Sequence, residues 1–95
     1  MRVTSKELRE IFELLISHME SEGLSEFDIP YDYYWTVTSK DQRYDNSDRP
    51  ELEMGQITED WSWLQKYLSG ETKPIGYGFV WLGEILRAIG EDHVG

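Results

Sequence analysis

The sequence predicts an α+β fold, with an N-terminal helix, a short antiparallel β-hairpin or small sheet, and two C-terminal helices packed on one face. Three observations support it. Apolar residues recur at helical intervals near the N-terminus, they alternate with polar residues from position 27 to position 38, and helical spacing returns after position 57. A length of 95 residues, 39% of them hydrophobic, is expected to form a single domain, residues 1–95.

The first helix is predicted near residues 5–22. The segment 4–7 has the form of a capping box, because the Thr4 hydroxyl is followed three residues later by a glutamate. Gly23 is suited to end the helix in a left-handed conformation. The residues that share the apolar face of this helix are Leu8, Ile11, Phe12, Leu15 and Met19.

An extended segment follows, because aromatic and aliphatic residues occupy every odd position from Phe27 to Val37. Pro30 cannot donate a hydrogen bond to a sheet, so the strand itself is predicted over 32–38. The alternation predicts that the odd-numbered face is buried. The two C-terminal helices are expected to pack on that face.

The predicted hairpin is completed by a turn at 39–42 and a short return strand at 43–45. Residues 45–56 combine Pro50, a glycine and many charges, which is typical of a loop. This loop is the best candidate for a segment that faces a partner.

Two helices are predicted in the C-terminal half. The second begins at 57–60, where Thr58 is expected to be the N-cap, and ends at Gly70. The third occupies about 76–89, and its apolar surface is broad enough to imply contacts on more than one side of the helix. Gly83, inside the third helix, predicts that another element packs closely against the backbone there.

The charge balance restricts the possible partners. The chain has 19 acidic and 9 basic residues, a net charge of −10. Residues 20–60 hold twelve acids and only three bases. Nucleic acid and anionic membranes are therefore not expected as ligands, because both are bound through basic surfaces. The absence of cysteine and of a long apolar run predicts a cytoplasmic protein that is neither disulfide-bonded nor inserted in a membrane.

No group of residues indicates catalysis, a cofactor or a specific metal site, so the chain is predicted not to be an enzyme. His18 and His93 have no second histidine or nucleophile at a recognisable spacing. The glycines of 76–78 lack the third glycine of a dinucleotide-binding loop, since Trp81 stands in its place. The acidic run at 41–53 lacks the spacing of an EF-hand, which leaves weak Ca²⁺ binding as an alternative to a solvated loop.

A partner-binding surface is the main functional prediction. The alternation turns Tyr34 away from the buried face, and Trp63 falls off the apolar stripe of its helix. Exposed aromatic residues beside acids are typical of binding hot spots, although incidental exposure is an equal alternative. The acidic residues expected to steer and orient the partner are Asp41, Asp45, Asp48, Glu51, Glu53, Glu59 and Asp60. The predicted function is stoichiometric binding of a basic protein, as an inhibitor or immunity-type protein.

Three other functions are compatible with the sequence. A small ligand-binding protein or enzyme would use a pocket between the hairpin and the third helix, lined by Tyr33, Trp35 and Trp81. A structural homodimer would form through the wide apolar surface of the third helix. Mimicry of the phosphate array of DNA would require rows of acids that a sequence cannot reveal.

Parts of the sequence resemble a group of small bacterial proteins with no assigned activity. The segments that carry the resemblance are 33–35, with the sequence YYW, 55–61, which begins a helix with GQITEDW, and 85–90. The resemblance covers most of the chain after residue 30. It implies a bacterial, cytosolic origin and no particular ligand.

Overall fold

The computed structural model describes residues 1–37 and 52–93. In chain order the elements are α1 (Ser5–Ser21), β1 (Tyr33–Val37), β2 (Leu52–Gln56), α2 (Ile57–Ser69) and α3 (Gly78–Asp92). The predicted α+β architecture is confirmed, with an N-terminal helix, a two-stranded antiparallel sheet and two C-terminal helices packed together. No helix in the described part of the chain is both long and apolar enough to cross a membrane.

Helix α1 begins and ends as predicted. The Thr4 hydroxyl accepts a hydrogen bond from the backbone N–H of Glu7 and donates one of 2.6 Å to the Glu7 carboxylate. Gly23 has a φ of 84°, in the left-handed region that glycine adopts without a steric penalty. No side chain of α1 is buried, and only Ile16 and Met19 are half-buried. The apolar face of α1 is therefore largely uncovered.

The sheet differs from the predicted hairpin in its second strand. Strand β2, at 52–56, pairs with β1 and lies within the segment predicted to be a loop, so that prediction is wrong for these residues. Glycine and charge are weak strand formers, but pairing with β1 outweighs local propensity, and Leu52 and Met54 alternate as a strand requires. The predicted turn at 39–42 and return strand at 43–45 lie outside the described residues.

The buried face of β1 is the even-numbered face, so the predicted orientation is wrong. Tyr34 packs against the core, whereas Tyr33 and Trp35 are 61% and 65% exposed. Ile29 and Tyr31 still pack inward. The alternation therefore changes phase between Tyr31 and Tyr34, at a bend where Asp32 contacts the start of α2.

Asp32 provides the cap of α2 that Thr58 was predicted to provide. The N-cap residue is Gln56, and its side chain makes no capping hydrogen bond. Instead, the Asp32 carboxylate accepts a hydrogen bond of 2.9 Å from the backbone N–H of Thr58, and the Asp32 carbonyl accepts one from the N–H of Ile57. A carboxylate at this position also matches the positive end of the helix dipole. The prediction that Gly70 ends α2 is confirmed by its φ of 78°.

Helices α2 and α3 enclose a small core between them and the sheet. In the described ranges the buried apolar side chains are Ile57, Ile85 and Ala88, with Ile29, Tyr31, Tyr34, Leu64 and Ile89 packed around them. Helix α3 runs to Asp92, past the predicted end at residue 89.

Close approach in α3 occurs at Gly78 and not at Gly83, where it was predicted. A Cβ atom on Gly83 would meet no other atom within 4 Å, whereas one on Gly78 would lie 2.9 Å from the ring of Tyr67. Gly78 begins α3 and is buried. The glycine that the packing requires is therefore the one at the helix start, where α2 and α3 meet.

Candidate functional site

The most exposed apolar surface of the sheet lies on the outer face of its two strands. Tyr33 and Trp35 on β1 and Leu52 and Met54 on β2 are all more than half exposed, and we call these four residues the sheet patch. Side chains alternate along each strand, and Trp35 is paired directly with Met54 in the register. The four side chains therefore project from one face, opposite the face that covers the core.

A shallow cavity of about 230 Å³ lies beside the sheet patch. It is lined by Tyr33, Met54, Gly55, Gln56, Glu59 and Asp60. Glu59 is exposed and stands in the first turn of α2, whereas the carboxylate of Asp60 already accepts a hydrogen bond from within the chain. Glu59 is thus the carboxylate in this cavity that is available to a cationic group.

Tyr34, predicted as an exposed anchor, lies inside the molecule. Its hydroxyl donates a hydrogen bond of 2.5 Å to Oδ2 of Asp60, and its ring lies over Gly55, the residue opposite it in the sheet. Asp60, predicted to face a partner, is only 7% exposed. These two residues therefore join the sheet to α2, with Tyr34 half-buried against the core rather than fully exposed as predicted.

The ionisation of this pair reflects its burial. Burial raises the pKa of Asp60, and the hydrogen bond from Tyr34 partly offsets the rise by stabilising the carboxylate. Burial, followed by the hydrogen bond to Asp60, raises the pKa of the Tyr34 hydroxyl well above its usual value. Tyr34 therefore stays protonated and continues to donate throughout the neutral range.

Trp63 is partly covered by other aromatic residues. Its ring stacks on that of Trp81, with the centroids 5.9 Å apart and the planes 17° from parallel. The ammonium group of Lys66 lies 4.3 Å from the centroid of the Trp63 ring. Trp63 therefore contributes to the packing of α2 on α3, while 39% of its surface stays exposed, in line with its predicted exposure.

The structure places only some of the predicted acidic residues. Glu53 and Glu59 are both exposed, but only Glu59 lines the cavity beside the sheet patch, whereas Glu53 lies opposite Thr36 on the other face of the sheet. The other acids predicted to form the partner surface, apart from the buried Asp60, lie outside the described residues; they are Asp41, Asp45, Asp48 and Glu51. In residues 1–37 and 52–93, no group of three or more potential metal-ligating side chains comes together.

The described residues form a small cavity of about 140 Å³ between the sheet and α3, where an aromatic pocket was predicted. It is lined by Trp81, as predicted, but by Tyr34 and Tyr77 in place of Tyr33 and Trp35, whose side chains lie on the outer face. A larger cleft of about 930 Å³ lies between the segment 25–32 and the two C-terminal helices. Among the carboxylates that line it, that of Asp32 is already used to cap α2.

The two histidines take different positions. His18 lies exposed on α1. His93 is half-buried, its ring meets that of Phe27 edge-to-face at 5.6 Å, and its Nδ1 donates to the carbonyl of Ile89. His93 therefore helps to hold the segment after α1 against the end of α3.

Sequence reasoning missed Leu52 and Met54, and it placed Tyr33 and Trp35 on the buried face of the strand, as the lining of an inner pocket. Two signals could have located them. Pro30 interrupts a simple alternation, because proline cannot join a ladder, and Asp32, directly before the strand, is a residue type suited to cap a helix. The order Leu52, Glu53, Met54 also shows the alternation of a strand.

Comparison with known proteins does not extend the assignment. No protein-family model, curated protein or solved structure matches this chain significantly.

Proposed function

We propose that this chain is a binding module that uses the sheet patch to form a stoichiometric complex with a basic protein. The observation that carries the proposal is the exposure of Tyr33 and Trp35 side by side with Leu52 and Met54 on one sheet face. The absence of cysteine favours a reducing compartment, so we place the complex in the cytoplasm.

The composition of the sheet patch is that of a binding hot spot. Tryptophan, tyrosine and methionine are enriched at the centres of protein interfaces, where they supply a large contact area with few rotatable bonds. Apolar side chains stabilise a fold when they are removed from water, so side chains on a sheet face that is exposed to solvent contribute little to stability. A partner that covers the sheet patch would account for the presence of four such residues there.

The cavity beside the sheet patch suits a lysine or arginine side chain. The aliphatic part of such a side chain would pack against Met54, and its cationic group would lie near the ring of Tyr33 and the carboxylate of Glu59. The net charge of −10 would also attract a basic partner over a longer range and raise the association rate. Both features favour a basic partner over an acidic one.

The layer beneath the sheet patch is suited to hold it rigid. The Tyr34 ring covers Gly55, and the Tyr34 hydroxyl is bonded to Asp60 on α2. The side chain of Gln56 donates a hydrogen bond of 2.8 Å to Asp32 at the entry to β1. A surface held in place before binding loses less conformational entropy on association, which favours affinity.

Peptide selection tests the proposal. The immobilised protein is offered a library in which one arginine is flanked by randomised residues, together with a matched library that carries glutamate in place of the arginine. We expect retention of arginine peptides with apolar neighbours and little retention of glutamate peptides. Retention should fall as salt rises, because exposed charges are screened.

Two variants locate the binding surface in the same experiment. Trp35→Ser should abolish retention of the selected peptides, and Glu59→Gln should reduce it and weaken its salt dependence. The control is Leu68→Ser, which removes an apolar side chain that is 84% exposed on α2, away from the sheet patch. Peptides retained equally by Trp35→Ser, or selected for acidic residues, would contradict the proposal.

A further inference from the structure

Helix α1 carries an apolar surface that the rest of the chain leaves open. Leu8, Ile11, Leu14 and Leu15 are all at least half exposed, and Leu14 reaches 71%. Leu8, Ile11 and Leu15 follow the three- and four-residue intervals by which one helix packs along another. These four residues form what we call the α1 stripe.

The α1 stripe continues into a groove of about 940 Å³ between α1 and α3. The apolar lining is Leu8, Phe12 and Leu14 on the α1 side and Phe79, Leu82 and Leu86 on the α3 side, and the charged residues Arg9, Glu10 and Glu13 of α1 also border the groove. Phe79 is 73% exposed, so α1 does not close over α3 within the chain. The stripe and the groove form one continuous apolar surface on two helices.

The area of this surface approaches that of a dimer interface. Of the eight apolar residues that form the stripe and line the groove, all but Leu82 are exposed, by 38–73%. At on the order of 150 Å² for a large apolar side chain, these seven present roughly 600 Å². This is the upper end of the largest apolar patch on a typical monomer, about 300–600 Å², and each side of a standard interface buries about 800 Å². The charged residues at the edge of this surface would supply the remaining area of a dimer interface.

The charge distribution along α1 favours packing against α1 of a second copy in the antiparallel direction. Residues 2–10 contain three bases and two acids, whereas residues 13–22 contain three acids and neither lysine nor arginine. In the described part of the chain, Arg2 and Arg9 form no ion pair. An antiparallel pair would place the basic half of each helix beside the acidic half of the other, and a parallel pair would not.

We propose that two copies of this chain form a twofold dimer, with the α1 helices packed antiparallel along the α1 stripe and each α1 entering the groove of the other copy. A twofold interface uses the same surface on both copies, so the surface must complement itself, as the charge pattern of α1 does. The four helices, α1 and α3 from each copy, then surround a shared apolar core.

Sedimentation velocity over a range of concentrations tests the dimer. The wild-type chain should sediment as a dimer that dissociates on dilution. Leu15→Glu should raise the dissociation constant by at least about 100-fold, because each copy would bury an unpaired charge. The control, Leu68→Glu, changes an exposed leucine outside the surface and should leave the dimer intact. A chain that is monomeric at every concentration, or a dimer unaffected by Leu15→Glu, would overturn the proposal.

Disulfide crosslinking tests the direction of the helices and does not depend on the stability of Leu15→Glu. The chain contains no cysteine, so single substitutions report on a clean background. Ile11 lies near the middle of the α1 stripe, so Ile11→Cys should crosslink two copies under oxidation. His18→Cys, towards one end of α1, should not, because its counterpart lies at the opposite end of an antiparallel pair. Efficient crosslinking through His18→Cys without crosslinking through Ile11→Cys would overturn the antiparallel arrangement.

Discussion

Tyr34 and Asp60 place a polar pair where a helix and a sheet meet. Asp60 follows Ile57 by three residues, so both lie on the face of α2 that packs inward, and a carboxylate there loses most of its hydration. The Tyr34 hydroxyl compensates for part of this loss with a short hydrogen bond. From the sequence alone, Asp60 is an acidic residue in the first turn of a predicted helix. Its burial against Tyr34 becomes apparent only in the structure.

Removal of the Tyr34 hydroxyl should affect stability and the pKa of Asp60 together. Tyr34→Phe leaves the carboxylate without its donor, and we expect a loss of about 1–3 kcal/mol in the free energy of unfolding at neutral pH. The pKa of Asp60, already raised by burial, should rise further, because the hydrogen bond that lowers it is gone. The destabilisation should shrink as the pH falls through the pKa of Asp60, since the bond is strongest to the ionised carboxylate.

Urea unfolding at several pH values and an NMR titration of the Asp60 carboxyl carbon measure both effects. Tyr33→Phe is the matched control, since the Tyr33 side chain is exposed and should change neither quantity. An Asp60 pKa that stays unchanged or falls in Tyr34→Phe would show that the hydrogen bond does not stabilise the carboxylate.

At the scale of the elements, Asp32 connects the entry of β1 to the start of α2. Its carboxylate accepts hydrogen bonds from the Gln56 side chain, the Thr58 backbone and the Thr58 hydroxyl, and it thereby caps a helix that begins 25 positions later in the chain. These hydrogen bonds, with the Gln56 contribution the largest, hold the pKa of Asp32 below its usual value. Asp32 therefore determines both which side chains of β1 face the core and where α2 begins.

Substitution of Asp32 should produce a pH-dependent loss of stability. A group whose pKa is lower in the folded chain than in the unfolded chain stabilises the fold above its unfolded pKa, and this stabilisation disappears as the pH falls through the folded value. Asp32→Ala should therefore lower the urea midpoint at neutral pH and have a smaller effect in strong acid. Asp28→Ala, at an exposed aspartate in the same segment, is the control. A loss that is equal at both pH values would show that the charge of Asp32 does not contribute.

Two glycines in different elements should respond to alanine in opposite directions. A Cβ on Gly55 would lie 2.1 Å from the Tyr34 ring, so Gly55→Ala must displace that ring and should cost about 1–3 kcal/mol in the free energy of unfolding. Gly83 is open and lies inside α3, so Gly83→Ala should stabilise the chain by up to about 1 kcal/mol. Thermal or urea unfolding measures both. Stabilisation by Gly55→Ala would contradict the packing of Tyr34 on the strand.

The elements that could be predicted from sequence were those with strong local patterns. Helix α1, with its capping box and Gly23, and the end of α2 at Gly70 follow from spacing and from residues that favour helix termini. Strand β2 and the exposed face of β1 could not be predicted, because both depend on pairing between distant segments and on the hydrogen bonds of Asp32. A change of phase by one residue exchanges the two faces of a strand, and for this reason the predicted anchor, Tyr34, became a core residue.

At the scale of the whole molecule, residues 1–37 and 52–93 combine a small core with two open apolar surfaces. The sheet patch lies on the strands, and the surface that includes the α1 stripe lies on α1 and α3. If the second surface joins two copies, each dimer presents two sheet patches. A partner with two binding sites would then bind the dimer more tightly than it binds a single sheet patch, because the second contact forms within an existing complex.

The most direct test of the account is ¹⁹F NMR of the chain labelled with 5-fluorotryptophan. The chain has four tryptophans, and single Trp→Phe variants assign their resonances to Trp35, Trp61, Trp63 and Trp81. On addition of the arginine peptide selected by the wild-type protein, we expect the Trp35 resonance to shift, while that of Trp81, packed among α2 and α3, stays in place. A Trp35 resonance that does not move while Trp61 or Trp63 responds would contradict the assignment of the sheet patch as the binding surface.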